Sequence, residues 1–318
     1  MASFIHAMNT TGSSAVVTSN PSGITGSRLF LVRYALELPI YVVGCVLNVY
    51  VIYKFLRNNR KNYEASRMNR IITCLLVACL AWSVVSCIRY VSWLGEAGNN
   101  LVLLTIEAFA GMVCLATILS FNVMLALERY FVMRQRTDKE TQGYFTLVGF
   151  ILGIYSFIML GVYATSSSND SVLPDKELQA GIWIWSTAVY YTATIVAIIA
   201  LYISTFFHTR NVLRMHIQTY STSAAEMLIR KRAILEIERK VLFYSICFGF
   251  IVVICYLPEI LMNGVIVAGL VNPHTQTDLL EIWKCVANVF VACDTVVTPL
   301  LVVFVGPKEV QDDSEVEM

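Results

Sequence analysis

Charge is what this sequence has least of: 14% of its 318 residues are Asp, Glu, Lys or Arg, against about 25% in a soluble domain. Histidine is scarcer still. His6, His208, His216 and His274 each fall in a polar loop or at a helix end, and neither H-E-x-x-H nor G-x-S-x-G occurs. No catalytic residue and no metal ligand is assigned, and no enzyme activity or cofactor is expected. No polar loop contains a cysteine. All nine (Cys45, Cys74, Cys79, Cys87, Cys114, Cys247, Cys255, Cys285 and Cys293) lie in apolar segments, which excludes zinc-type spacing and an extracellular disulfide framework and leaves them as small packing residues. A secretory leader is not expected, because residues 1–28 are polar and Ser/Thr-rich with no basic start followed by an apolar core. Internal repeats are absent too, which counts against a transporter built from two equal halves. No nucleic-acid partner is expected.

Apolar length is what the chain has in excess. Its residues are 57% hydrophobic and its mean hydropathy is +0.66, more apolar surface than water tolerates, so a lipid bilayer is the natural solvent. Apolar runs occur at 30–56, 69–92, 101–127, 144–165, 181–207, 241–270 and 279–305. Each exceeds the roughly 20 residues that cross about 30 Å of hydrocarbon as a helix. Barrel strands would alternate in polarity, and these runs do not. The expected fold is an all-α membrane bundle of seven transmembrane helices, with an extracellular arm at 1–28, the membrane domain at 29–305 and a short cytosolic tail at 306–318. Arg33 and Glu37 interrupt the first run one turn apart, where they can pair. The second half of the 208–240 loop, from Ala224 to Lys240, reads as a helix that carries span six into the cytosol. The acidic tail from Val310 to Met318 is expected to be disordered.

Direction follows from Lys and Arg. Of the 23 such residues, all but Arg28, Arg33, Arg89, Lys176 and Lys284 fall in the loops after spans one, three and five, at the helix ends beside them or in the tail. The positive-inside rule puts those loops and the C-terminus in the cytosol and the N-terminus outside. Two glycosylation sequons, at Asn9 and Asn169, fall on the outer side of that arrangement.

Four local features stand together. Glu128-Arg129-Tyr130 ends span three at its cytosolic face. Cys255-Tyr256-Leu257-Pro258 lies in span six, Thr298-Pro299 lies late in span seven, and Gly44 with Asn48 lies in span one. Over about residues 30 to 305 this resembles a divergent rhodopsin-like (class A) G-protein-coupled receptor, and the chain is somewhat similar to the opsin-related receptors of early-diverging fungi. The features match the family's E/D-R-Y triad, its C-W-x-P with Tyr for Trp, a reduced N-P-x-x-Y and the span-one asparagine. The resemblance implies a plasma-membrane receptor that couples an extracellular ligand to a heterotrimeric G protein. It also implies that Arg129 pairs with Glu238, at the cytosolic start of span six, in the inactive state, with Glu128 holding Arg129 locally. Tyr130, Tyr202, Pro258 and Pro299 complete the coupling set. Arg129 alone also reads as an ordinary positive-inside residue. Pro258 and Pro299 each remove a backbone hydrogen bond, and a kinked span six can swing as a lever.

The departures from that family are specific. Its acid in span two falls at Cys79, its N-P-x-x-Y tyrosine at Val302, and its span-three cysteine near Leu104. Asp294, with Asn48 and Asn122, forms a polar set in apolar surroundings that reads either as a switch or as a helix-packing cluster. The outer half holds Glu37, Arg89, Glu107, Glu259 and Lys284, either as ligand contacts or as a structural ion-pair network. By alignment Arg89 and Glu107 are expected to pair. Gly111, Tyr256, Asn263 and Asn288 complete the expected ligand site. Gly111 stands where aminergic receptors carry an aspartate, and Ala292 where opsins carry the retinal lysine, while Glu107 matches the opsin counterion. Two other readings remain: an opsin-like photoreceptor holding retinal in a non-standard way, and an ion- or proton-coupled transporter using Glu107, Glu259 and Asp294.

Overall fold

In a computed structural model of the chain, residues 22–58, 67–94, 101–134, 138–167, 176–219, 224–268 and 277–305 are described. They form seven helices: α1 Ser22–Asn58, α2 Arg67–Leu94, α3 Leu101–Met133, α4 Asp138–Ser167, α5 Lys176–Thr219, α6 Ala224–Val267 and α7 Thr277–Val305. Among the described residues there is no strand. Each helix contains a stretch long and apolar enough to cross a membrane, from Tyr34–Arg57 in α1 to Ile282–Val303 in α7. A lipid-embedded backbone must satisfy its own polar groups, and an unbroken helix does so. The chain is therefore a multi-pass membrane protein by length and composition. The arm with Asn9, the 168–175 segment with Asn169 and the tail from 306 lie outside the described residues, as do the side chains of Arg33 and Glu238.

The helices close a ring in which α1 packs on α2 and α7, α2 on α3, α3 on α5, α5 on α6, and α6 on α7; α2 also touches α7. The fourth helix sits outside the ring, against α3 and α5. Among the described residues, two large apolar cores fill most of the interior. One joins α3 to α6 through Leu119, Met159, Tyr191, Ile198, Val252 and Tyr256. The other joins α1, α2, α3 and α6 through Val51, Leu75, Leu76, Ile118, Leu125 and Phe248. The outer faces are just as apolar: Phe157 is 77% exposed, Phe150 65% and Val46 65%. Water would not tolerate these, and lipid does.

Glycine sets the closest approaches, because small residues let membrane helices come together. A Cβ on Gly44 would sit 2.6 Å from Thr295 Oγ1 of α7 and 3.0 Å from Ser83 Oγ of α2. One on Gly111 would meet the Trp82 ring at 2.6 Å, and one on Gly249 the Tyr202 ring at 2.7 Å. On α4, by contrast, Gly143, Gly149, Gly153 and Gly161 have nothing within 4 Å of that position.

Candidate functional site

Polar side chains gather at three levels of the bundle. The first is the end where α1 begins and α2 finishes. Glu37, in α1, is 1% exposed and accepts a hydrogen bond from the Tyr90 hydroxyl of α2. Tyr34 packs edge-on against Tyr90, and Tyr41 edge-on against Trp82. Between these helices and α7 lies a cavity of about 20 Å³, lined by Glu37, Tyr41, Trp82, Ser86, Arg89, Tyr90 and Asn288. A water molecule fits such a space; an organic ligand does not.

The expected pairing of Arg89 with Glu107 is not made. Glu107, 7% exposed, accepts a hydrogen bond from Ser92 Oγ at 3.0 Å through Oε1, while among the described residues Oε2 has no partner. Arg89 instead lines the cavity on Glu37's side of α2. Trp82 Nε1 is a second buried atom without a hydrogen-bond partner among the described residues. Space beside Gly111 is taken by the Trp82 ring. Between α6 and α7, Trp283 Nε1 of α7 donates to the Pro258 carbonyl of α6 at 3.0 Å. Glu259 and Lys284, one residue further along each helix, are half-buried and have contacts of their own. Asn263 is buried on α6. Of the residues expected to form one ligand site, Arg89 and Asn288 line the α1–α2–α7 cavity, Glu107 and Gly111 of α3 meet Ser92 and Trp82 of α2, and Tyr256 bonds to Asp294 in the middle of the bundle.

The second level is the middle of the bundle. Asp294, 1% exposed, accepts hydrogen bonds from Tyr256 (3.1 Å, to Oδ2) and Thr298 (2.8 Å, to Oδ1). Asn48 spans from α1 to α7: its amide donates to the Gly44 and Thr295 carbonyls, both at 2.8 Å, and its Oδ1 has no partner among the described residues. Asn122 donates to Ile118 of its own helix at 3.0 Å. The three polar residues expected as one cluster thus make separate sets of bonds. Tyrosines extend this level toward α4. Tyr190 shares a 2.6 Å hydrogen bond with Ser120, stacks on Tyr155 at 4.2 Å, and neighbours Tyr191, which meets Tyr256 edge-on.

The third level is the opposite end. Glu128 pairs with Arg67 of α2 at 3.5 Å, and Arg67 also lies over the Phe145 ring of α4. The Arg129 guanidinium lies 4.9 Å above the Phe248 ring of α6, with Tyr202 of α5 within electrostatic reach. Arg134 covers the Tyr130 ring. Pro258 and Pro299 lie inside α6 and α7. Sequence reasoning missed Arg67 as the partner of Glu128, Tyr90 as the partner of Glu37, and the Tyr155–Tyr190–Ser120 set. The one signal for the tyrosine partnerships was the tyrosine count of 16, high for so apolar a chain, since a buried hydroxyl needs a partner.

Among the described residues no group of His, Cys, Asp and Glu is placed to hold a metal ion. Comparison of the chain with protein-family models finds no match, and comparison with curated proteins finds none either.

Proposed function

We propose that this chain is a cell-surface receptor of the rhodopsin-like kind, with its N-terminus outside, its C-terminus in the cytosol and Asn9 and Asn169 open to glycosylation. It passes an extracellular signal to a heterotrimeric G protein. One observation carries the reading: Glu128 and Arg129, adjacent in sequence, reach in different directions. Glu128 ties α3 to α2 through Arg67, and Arg129 ties α3 to α6 through Phe248. Such a knot at one end of a bundle is what a two-state switch needs, because it is stable when closed and lost when α6 moves. Lys and Arg crowd that end and its loops, which is the side a cytosolic partner would meet.

The signal acts at the other end. Glu107, with one buried carboxylate oxygen that has no partner among the described residues, and Glu259, Asn263 and Lys284 of α6 and α7 are the ligand contacts. The 20 Å³ cavity is too small for a bound ligand, so binding involves opening the α1–α2–α7 end or docking elsewhere on it. Ion or proton transport is the second reading, favoured by the buried acids Glu37 and Glu107 toward one end of the bundle and Asp294 in its middle. An opsin-like photoreceptor is the third, and Ala292, fully buried against Tyr41 and Tyr90, offers no amine to retinal.

A cell assay of G-protein activation against a broad ligand library, in darkness and in light, tests the reading. A ligand that activates at least one G-protein class is expected. Silence across all classes at verified surface expression, together with a pH-driven current or flux, would replace it with transport.

A further inference from the structure

The bundle side of α1 is marked by buried Glu37, Tyr41, Asn48 and Val51. On its outer side, in the last two turns, stand Tyr50, Tyr53, Lys54 and Arg57, all exposed. Their spacing of i, i+3, i+4 and i+7 puts them in one stripe along the helix. Exposed Val43 and Val46 continue that stripe toward the middle of the span. The apolar stretch of α1 ends at Arg57. The stripe therefore runs from hydrocarbon to headgroup level, first valines, then tyrosines, then two cations. Tyrosine favours that level, and long cationic side chains reach up to it. From Leu38 to Tyr63 the sequence has no acidic residue. The ion pair at this end, Arg67 with Glu128, uses a different cation. Among the described residues, α2, α3 and α5 each expose one cation at the same end, Arg70, Arg134 and Arg210, whereas α1 exposes two, one turn apart.

We propose that this stripe is a binding surface for one anionic phospholipid. The headgroup phosphate is held by the Arg57 guanidinium, whose fork suits phosphate oxygens, and by the Lys54 ammonium as a point charge. The tyrosine hydroxyls meet the glycerol level, and an acyl chain lies along Val46 and Val43. Each cation near an anionic surface contributes about fivefold in affinity, so two contribute about thirtyfold. A zwitterionic headgroup forfeits that gain, because its own ammonium opposes the two cations. The bound lipid holds the end of a helix that packs on both α2 and α7. With this end in the cytosol, an orientation that rests on the proposed function, the stripe faces the leaflet richer in anionic lipid.

The test uses the purified full chain in detergent, with phosphatidylserine and phosphatidylcholine of matched acyl chains, read by native mass spectrometry. Preferential retention of phosphatidylserine is expected. Lys54→Gln with Arg57→Gln should weaken it by about thirtyfold. Arg70→Gln with Arg210→Gln removes the same charge at the same end and should leave it near the parent. Lys54→Arg with Arg57→Lys keeps the charge and should keep the lipid. A photoactivatable phosphatidylserine should also crosslink to residues 50–57 of the unaltered chain, a readout that needs no variant to fold. Equal retention of the two lipids, equal loss from both Gln pairs, or crosslinks only outside that segment would overturn the proposal. So would displacement of the lipid by soluble glycerophosphoserine at similar affinity, which would make the site one for free phosphate esters. None of these results depends on whether the chain activates a G protein or on its orientation in a cell.

Discussion

Asp294 and Glu107 are both carboxylic acids buried in apolar helices, and they are held very differently. Asp294 has both oxygens hydrogen-bonded, by Tyr256 and Thr298. Glu107 has one oxygen on Ser92 and the other without a partner among the described residues. Burying an acid costs free energy that only partners return. A fully partnered acid is therefore explained by the fold it helps to hold. A half-partnered one is not, and the unmet cost points to something the fold awaits: a proton, a ligand group or a moved helix. Asp294 reads as structure, and Glu107, beside the end of α2, as a place of change.

The sharpest way to break that contrast is to remove Asp294. Asp294→Ala leaves two buried hydroxyls without their acceptor, at about 1–3 kcal/mol each. A large fall in the thermal unfolding midpoint in detergent is expected, with Asp294→Asn losing less because it keeps one acceptor oxygen. Equal losses for both, or none, would mean that the hydrogen bonds do not hold the middle together.

A second contrast sets the glycines of the interior against those of α4. Gly111→Val forces a branched side chain against the Trp82 ring. Overpacking of this kind costs about 1–3 kcal/mol. Gly149→Val meets nothing and is expected to stay within about 0.5 kcal/mol of the parent. Thermal unfolding of the two proteins side by side checks this. If both behave alike, α4 is not the lipid-facing helix described above.

The smallest effect is expected at Arg89 and Glu107. Since they do not pair, a double-mutant cycle of Arg89→Met with Glu107→Gln should be additive within about 0.5 kcal/mol. Glu107→Gln keeps an acceptor oxygen for the Ser92 hydroxyl, so it should be neutral or slightly stabilising. A coupling of several kcal/mol would restore the ion pair that the family alignment suggests.

Much of the fold was legible because its cause is local. Seven apolar runs, none alternating, are enough to give seven helices when lipid is the solvent. The ends were legible in part: the helix expected from Ala224 to Lys240 is the first part of α6, Ala224–Val267, whereas α5 runs to Thr219, beyond its apolar run at 181–207, because helical continuation past the apolar run carries no hydrophobic signature. The site was legible in kind but not in partnership. Glu37, Glu107, Asp294 and Arg129 all stood out as polar groups in apolar helices. Which partner each takes depends on helix rotation and crossing, and those are set by contacts such as Gly44 on Thr295 and Gly111 on Trp82. No spacing along the chain reports that Glu37 meets Tyr90, 53 residues away.

The central claim is that the end carrying Glu128 and Arg129 is a switch read by a G protein. Nucleotide exchange on purified G proteins, in membranes bearing matched amounts of each variant, tests it most directly. Glu238→Ala is expected to raise basal exchange, by freeing α6 from the closed form. A bias of about 1.4 kcal/mol is a tenfold change in such an equilibrium. Arg129→Ala is expected to lower exchange, because in the proposed receptor the same arginine also serves the open form. Basal exchange unchanged by Glu238→Ala, and by Arg129→Ala, across every G-protein class would contradict the account.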